Sequence, residues 1–224
     1  MTPSRARAKT PDTREEMHLL RAGHTHVAGL DEAGRGAWAG PVCAAAVVLP
    51  LQQRGLRETL RGVRDSKLLS AAQRETQYAA ITRVAVAIGV GWATPPEVDQ
   101  MGIVAATRHA MARAVEDLDE QADALVIDHL HLPALDLPQR VFPKADARCL
   151  SVAAASIIAK VSRDRLMVGL DDDYPGYGLA RHKGYGTRQH RQALSQLGPT
   201  KIHRMSWQPF RALRTAEEQP HEEP

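Results

Sequence analysis

From Val27 onward the chain passes repeatedly from short apolar runs bounded by turn formers to longer amphipathic stretches, and each change of period predicts an element. Val27–Leu30 reads as a short strand that stops at an acidic pair, Asp31-Glu32. A glycine-rich turn covers Ala33–Gly40, and Pro41 opens a β-branched run, Val42–Leu49, that reads as a second strand. A tight turn between two strands predicts antiparallel pairing. Ser70 with Gln73 forms a capping box, which predicts a helix to about Arg83 followed by a strand over Val84–Trp92. Thr94-Pro95-Pro96-Glu97 repeats that signature with proline in the first turn, and its helix is expected to run to about Leu118. Ala124–Ile127 reads as a buried strand ending at Asp128, and Arg140–Phe142 as a short one ending near Asp146. Leu150–Leu170 reads as a long helix whose small face (Ala153, Ala154, Ala155, Ala159) suits close approach to a sheet. A glycine- and tyrosine-rich loop spans Tyr174–Gly186, and a last helix spans Thr187–Leu197. The order implies a mixed α/β architecture with helices covering a central sheet, without fixing which such fold it is.

The ends of the chain lack this patterning. Residues 1–24 are polar, basic and aperiodic, so they read as a flexible tail; residues 25–210 read as one domain with a smaller C-terminal part; and residues 211–224 read as an acidic flexible tail. Hydrophobic residues make up 43% and charged residues 25%, an ordinary balance for a soluble domain, and no apolar run approaches the roughly 20 residues that span a bilayer. Cys43 and Cys149 lie in apolar contexts, which favours buried thiols over a disulfide framework or a zinc site. No secretory signal is evident. A cytoplasmic protein without membrane association is expected, and a monomer. The net charge of +3 is weak evidence for a nucleic-acid partner, but its distribution says more. Arg181, His182, Lys183, Arg188, His190 and Arg191, followed by Lys201, His203 and Arg204, predict a basic, phosphate-facing C-terminal region.

Carboxylates stand at three strand ends: Asp31-Glu32, Asp128 and Asp146. Gathered at one sheet edge, they would suit a hard cation with oxygen ligands, Mg2+ or Mn2+, and not zinc. Adjacent strand residues point to opposite faces, so Asp31 and Glu32 reach one site only if the chain turns, a freedom that Gly34 and Gly36 supply. Arg35 between those glycines can bind phosphate. Local alternatives remain: a turn-forming role for Asp128, a helix-capping role for Asp146, and turn chemistry or phosphate contact for Asp65 with Lys67.

These stretches together resemble the ribonuclease HII family. The resemblance rests on Gly29-Leu30-Asp31-Glu32-Ala33-Gly34-Arg35-Gly36 with Ala39-Gly40-Pro41-Val42, then Asp65-Ser66-Lys67-Leu68-Leu69-Ser70 and Ala155–Asp164. It continues through Tyr174–Gly178, His182–Thr187 with His190, and His203-Arg204, covering roughly residues 26 to 210. It implies a ribonuclease H-like mixed sheet flanked by helices, with a smaller helical C-terminal part. It also implies four catalytic, metal-holding acids: Asp31, Glu32, Asp128 and Asp146. It further implies a ribose-reading Gly34-Arg35-Gly36 and a junction-sensing Tyr185. Lys67, Lys160, Lys183 and Arg188 are expected phosphate contacts, and Ser156 is either a backbone contact or a small packing residue. The implied partner is an RNA–DNA hybrid or a DNA duplex containing ribonucleotides, cut on the 5′ side of the ribonucleotide with Mg2+ or Mn2+. Two departures stand beside the acids: His129-Leu130 follows Asp128 where the family has Gly-Asn, and Lys144-Ala145 precedes Asp146 where it has Lys-Gly. Another nuclease of the same broad fold, or a duplex-binding module without catalysis, is the alternative.

Overall fold

The computed structural model describes residues 10–208 and Phe210. The strands are β1 Val27–Ala33, β2 Val42–Val48, β3 Ala87–Ala93, β4 Ala124–Asp128 and β5 Gln139–Phe142. The helices are α1 Arg14–Arg21, α2 Leu56–Thr59, α3 Ala71–Val84, α4 Pro95–Met101, α5 Ile103–Glu116, α6 Leu150–Asp173, α7 Leu179–His182 and α8 Arg188–Leu197. The five strands form one mixed sheet in the order β3-β2-β1-β4-β5. The hairpin partners β1 and β2 pair antiparallel, as do β2 and β3, while β4 and β5 run parallel to β1. Both expected capping boxes are present, Ser70 with Gln73 on α3 and Thr94 with Glu97 on α4.

One helix lies hard against each face. Gly29 of β1 sits under the first turn of α6, where a Cβ would fall on the Ser151 and Val152 backbone. Gly89 and Gly91 of β3 likewise sit under the carbonyls of Ala114 and Ala110 on α5. The small residues of α6 permit this approach, and Ala153, Ala154, Ala155 and Ala159 are all fully buried. The α5 face closes over Ala28, Leu30, Leu125 and Ile127, and the α6 face over Ala45, Val47, Ile157 and Ile158. Leu30 and Ile127 are level across β1 and β4 and fully buried. Burying such a side chain contributes about 1.5–3 kcal/mol, which offsets repulsion among the acids that follow one residue later.

Two expectations are corrected. The helix predicted from Thr94 to Leu118 is two helices, because Gly102 between them adopts φ 78°, a left-handed backbone that breaks the ladder. The N-terminal segment is not a loose tail throughout: Arg14–Arg21 is helical, and its buried Glu16 accepts bonds from the Ser151 N–H (2.9 Å) and hydroxyl (2.8 Å) at the start of α6. Arg140 and Arg148 also grip Glu15, at 2.6 and 3.2 Å. These long-range anchors have no local signature. The tail expectations for residues 1–9 and 211–224 lie outside the described residues. The small C-terminal part is a separate packed cluster, in which Ala39, Met167, Tyr177, Leu179, Ala193 and Ile202 bring α7, α8 and the end of α6 against the turn after β1. Asp99 of α4 anchors the chain beyond it by accepting the N–H groups of Met205 (2.8 Å) and Ser206 (2.9 Å).

Candidate active site

Because β1 and β4 are parallel, their C-terminal ends open on the same edge of the sheet. The register Leu30↔Ile127, continued by one residue, sets Asp31 level with Asp128. Asp146 follows from the turn Ala145–Ala147, between β5 and α6. Its rival reading as a helix cap is excluded, since α6 is capped at Cys149 without a side-chain bond. The Asp128 carboxylate accepts the Ala145 N–H at 2.9 Å and so ties this turn to β4. At the first departure from the family pattern, His129 stands in place of the family's glycine with φ 59°, a left-handed conformation held by a non-glycine residue; beside the second, Lys144, which the family pattern shares, has φ 60°.

Strand β1 continues through the acids to Ala33, and the turn starts only at Gly34. Asp31 and Glu32 therefore alternate across the strand: Asp31 is buried, and Glu32 is half-buried with Arg35 at 3.1 Å. The acids still feel one another. Burial, then the charge of Glu32, then that of Asp146 hold Asp31 well above the usual carboxylate range. Burial raises Glu32 too, with Asp128 adding to it and Arg35 opposing. Burial, Asp65 and Asp128 raise Asp146. Among the described residues no three His, Cys, Asp or Glu side chains are gathered tightly enough to hold an ion as they stand. The donor set nevertheless fits a hard divalent cation, because it is all carboxylate, partly desolvated and mutually repelling.

Lys67 faces this cluster. Burial disfavours its charge, but Asp65, Asp31, Asp146 and Glu32 outweigh burial and raise its pKa. The expected phosphate contact is thus also the counter-charge of the acids. Asp65 acts as a turn former, accepting the Lys67 N–H at 3.0 Å. Ser156 does not reach the surface: it is 2% exposed, donates to the Ser66 hydroxyl at 2.8 Å and accepts the Ser66 N–H at 3.3 Å. Of its two readings, backbone contact and packing residue, the buried position fits the second: its hydroxyl is spent on the turn that carries Lys67 and on Asp31, whose raised pKa it opposes.

Next to the acids, the Gly34–Gly36 turn is held from beneath by two buried arginines. Arg204 donates to the carbonyls of Gly34 (2.8 Å), Arg35 (2.8 Å) and Gly40 (2.9 Å). Arg163 donates to Pro41 (2.9 Å), Ala39 (3.0 Å) and Lys183 (2.9 Å). Gly34 has φ 87° and its missing Cβ leaves the space that Arg163 fills. Since a peptide is planar and trans, holding the carbonyls of Gly34 and Arg35 also fixes the opposed N–H groups of Arg35 and Gly36. Among the described residues neither N–H finds an internal acceptor. Gly36 is exposed, with open space where a side chain would stand.

Tyr185 is half-buried on the facing loop, with the Lys160 ammonium 5.6 Å and the Arg163 guanidinium 5.5 Å from its ring centre. Lys160 also pairs with Asp164 at 2.7 Å, and the Lys183 ammonium donates to the Ala180 carbonyl. Arg188 is exposed at the start of α8. The basic stretch expected here is divided by the fold. Arg181, Arg188, Arg191 and Lys201 are exposed, whereas His182, His190, His203 and Arg204 are buried and add little positive surface. Sequence reasoning missed the roles of Arg163 and Arg204. Both stand in stretches that carried the resemblance, Ala155–Asp164 and His203-Arg204, and that was the available signal.

A mixed sheet in this order, with carboxylates at the edge where its parallel strands end, defines a ribonuclease H-like nuclease. A family model described as Ribonuclease HII matches residues 28–210. The chain is 50% identical to the ribonuclease HII of Dehalococcoides mccartyi over 203 residues, covering 91% of this chain and 95% of that one. It is 51% identical to that of Chloroflexus aurantiacus, covering 89% and 94%. The crystal structure of the ribonuclease H2 from Pyrococcus horikoshii OT3 superposes with a TM-score of 0.72 at 27% identity, covering 87% of this chain and 100% of that one. The chain belongs to the ribonuclease HII family, and it is an endonuclease of the ribonuclease H class acting on nucleic acid. No helix of the described residues is long and apolar enough to cross a membrane.

Proposed function

We propose that this enzyme hydrolyses the phosphodiester on the 5′ side of a ribonucleotide, both in RNA–DNA hybrids and at single ribonucleotides within duplex DNA, leaving a 3′-hydroxyl and a 5′-phosphate. The observation that carries the reading is the adjacency of two features: an acidic cluster whose members raise one another's pKa, and an exposed peptide turn at Gly36 with fixed, unpaired N–H groups. Asp31, Glu32, Asp128 and Asp146 are the residues that would hold Mg2+ or Mn2+. When bound, such ions supply Lewis acidity toward the scissile phosphate and lower the pKa of an attacking water.

The chain's own residues do the rest. Water attacks phosphorus and the bond to the 3′-oxygen breaks, so the ribose 2′-hydroxyl is read and not consumed. The N–H groups of Arg35 and Gly36 suit that reading, because they are fixed in direction and indifferent to the base. Lys67 balances the carboxylates and lies where a phosphate would approach. Tyr185, steadied by Lys160 and Arg163, presents a face for stacking on a sugar or base beside the junction. Lys160, Lys183 and Arg188 are assigned to phosphates of the duplex, which position it without reading sequence.

The deciding experiment is cleavage of an end-labelled DNA duplex carrying one ribonucleotide, with magnesium or manganese and with chelator as control. A single metal-dependent cut just 5′ of the ribonucleotide is expected. Cutting of long hybrids alone would move the specificity and make the His129 turn the first suspect. Tyr185→Ala should lower junction cleavage by about tenfold, the scale of one stacking contact, while binding to plain duplex stays near wild type. Equal losses on every substrate would assign Tyr185 a structural role instead.

A further inference from the structure

Three histidines pack beneath the Tyr185 loop, away from the acids. His182 and His190 stack with ring centres 4.4 Å apart, and His190 and His203 meet nitrogen to nitrogen, Nε2 to Nε2, at 3.1 Å. All three are buried. An imidazole pair at this distance needs one donor and one acceptor, so the tautomers of the two rings are linked.

The backbone at each end decides which way the chain runs. Three groups of Thr200 meet His203 Nδ1: the N–H at 2.9 Å, the hydroxyl at 3.1 Å and the carbonyl at 3.3 Å. The N–H is nearest and can only donate, so that nitrogen is taken as bare and the proton of His203 as lying on Nε2. That proton points at His190 Nε2, which must accept it. The proton of His190 is therefore on Nδ1, where it donates to the Tyr185 carbonyl at 3.1 Å. The reverse order would set the Thr200 N–H against another N–H, and a bare nitrogen against a carbonyl. His182 is fixed separately: its Nδ1 accepts the Gly184 N–H at 3.2 Å, and its Nε2 donates to the Tyr177 carbonyl at 2.8 Å.

We propose that His203 and His190 are positioning residues for substrate recognition: a one-way hydrogen-bond chain from the Thr200 amide through both rings to the Tyr185 carbonyl sets where Tyr185 meets the nucleic acid. The proposal rests on the reading above that Tyr185 touches the ribonucleotide junction. The loop it acts on bends sharply, with Lys183 (φ 53°) and Gly184 (φ 80°) both left-handed. From the other side the loop is held by backbone contacts with Trp38 and Ala39, whose N–H groups donate to Gly184 at 2.8 and 3.2 Å. Tyr185 itself donates its N–H to the His182 carbonyl (3.0 Å) and accepts the Thr187 N–H at its carbonyl (2.8 Å), and the histidine chain adds a third hold at that carbonyl.

The chain tolerates no extra proton, because an added one would put two N–H groups face to face. The surroundings agree. Burial pulls His190 down to about 4, with His182 and His203 adding to it and the Tyr185 and Gly184 backbone opposing, and burial with His182 pulls His203 down to about 4 against the Thr200 backbone, which raises it. The rings facing the pair are Tyr177 and Phe210, with centres 5.3 and 5.4 Å from that of His203, and Trp38, which is 5.8 Å from His190 and lies under Arg191. Arg204 adjoins His203 but turns its guanidinium to Gly34 and Gly40. Asp171 and Lys183 act on His182 with opposite sign.

The first test is a long-range proton–nitrogen NMR spectrum of the full-length protein labelled with 15N-histidine. At neutral pH, His190 is expected as the Nδ1–H tautomer and both His203 and His182 as Nε2–H. A His203 proton on Nδ1, or averaging of both tautomers, would overturn the proposal. The second test compares His190→Phe, which removes the bond to Tyr185, with His190→Asn, whose amide can still donate to it. The readout is the ratio of single-ribonucleotide cleavage to long-hybrid cleavage. His190→Phe should lower that ratio about fivefold to tenfold, the worth of one hydrogen bond, and His190→Asn should restore most of it. An unchanged ratio in folded His190→Phe, beside a lowered one in Tyr185→Ala, would sink the chain and leave the Tyr185 reading intact. An unchanged ratio in Tyr185→Ala would remove that reading and this proposal with it. Should His190→Phe not fold, the tautomer spectrum decides alone.

Discussion

Replacing Asp31 by Asn should abolish metal-dependent cleavage, by about 10³-fold or more in kcat, while leaving the protein folded and able to hold its duplex. Asn keeps the size of the side chain and an oxygen that can still accept the Glu32 N–H, which Asp31 now takes at 2.8 Å. What disappears is one negative charge at the level where β1 and β4 end. The same substitution should make the metal-free protein more stable at neutral pH. Burial and the neighbouring carboxylates raise Asp31 well above its ordinary range. A raised carboxylate binds its proton more tightly folded than unfolded, so its contribution to stability is complete below the unfolded pKa. It is lost as pH rises through the folded one. Above that window the wild type holds an unwelcome charge that the variant lacks. The melting temperature of the variant in chelator should exceed that of wild type by a few degrees at pH 7, at about 2–4 °C for each kcal/mol in a chain of this size. The gap should close as pH falls toward 4. Adding magnesium should stabilise wild type more than the variant. Undiminished cleavage by Asp31→Asn would show that the site is wrongly assigned. Lost cleavage with lowered stability would mean that the charge is structural.

Asp31, Glu32 and Asp128 were legible as candidates because they stand at the ends of strands whose apolar runs are short and unambiguous, whereas Asp146 lies in the turn beyond β5 and was marked by its place just after that strand. Both capping boxes were legible for a similar reason, since the partners lie three residues apart and satisfy each other locally. The break at Gly102 was not, because a glycine inside a helical pattern signals a break only once its φ is known. Helix α1 was hidden by its shortness: its apolar residues are Met17, Leu19 and Leu20, and besides buried Leu19 it is held by a buried glutamate bonded 135 residues away. Ser156 carried two readings until its hydroxyl was found against Ser66. The histidines and Arg204 were counted as positive surface, as their residue types usually are. They are buried because backbone carbonyls and amides of the glycine-rich turns supply their partners, and a carbonyl leaves no trace in the sequence of the residue that bonds it.

Arg204 carries the other large effect. It is fully buried, its guanidinium donates to the carbonyl oxygens of Gly34, Arg35 and Gly40, and it lies 5.4 Å from the centre of the Trp207 ring. Burial and the nearby Arg163 oppose its charge, so this cation is held at a cost that only a fixed arrangement of carbonyls can offset. Arg204→Met keeps much of the volume and removes every donor. Each buried carbonyl left unpaired costs about 1–3 kcal/mol, so a fall in melting temperature on the order of 10 °C is expected. Assayed below both transitions, the variant should lose about 10²-fold in kcat/KM on a single-ribonucleotide duplex, the scale for a catalytic group misplaced by an ångström. Binding to plain duplex should persist, because the exposed lysines and arginines are untouched. Arg204→Lys separates charge from geometry. Lysine restores the cation but not the planar fork that spans two successive carbonyls, so it should recover stability in part and ribonucleotide cleavage hardly at all. Full recovery with lysine would mean that the charge beneath the turn matters and its shape does not. Full cleavage by Arg204→Met would mean that the Gly34–Gly36 turn holds its own N–H groups in place, and that the arginine stabilises the fold without serving the reader.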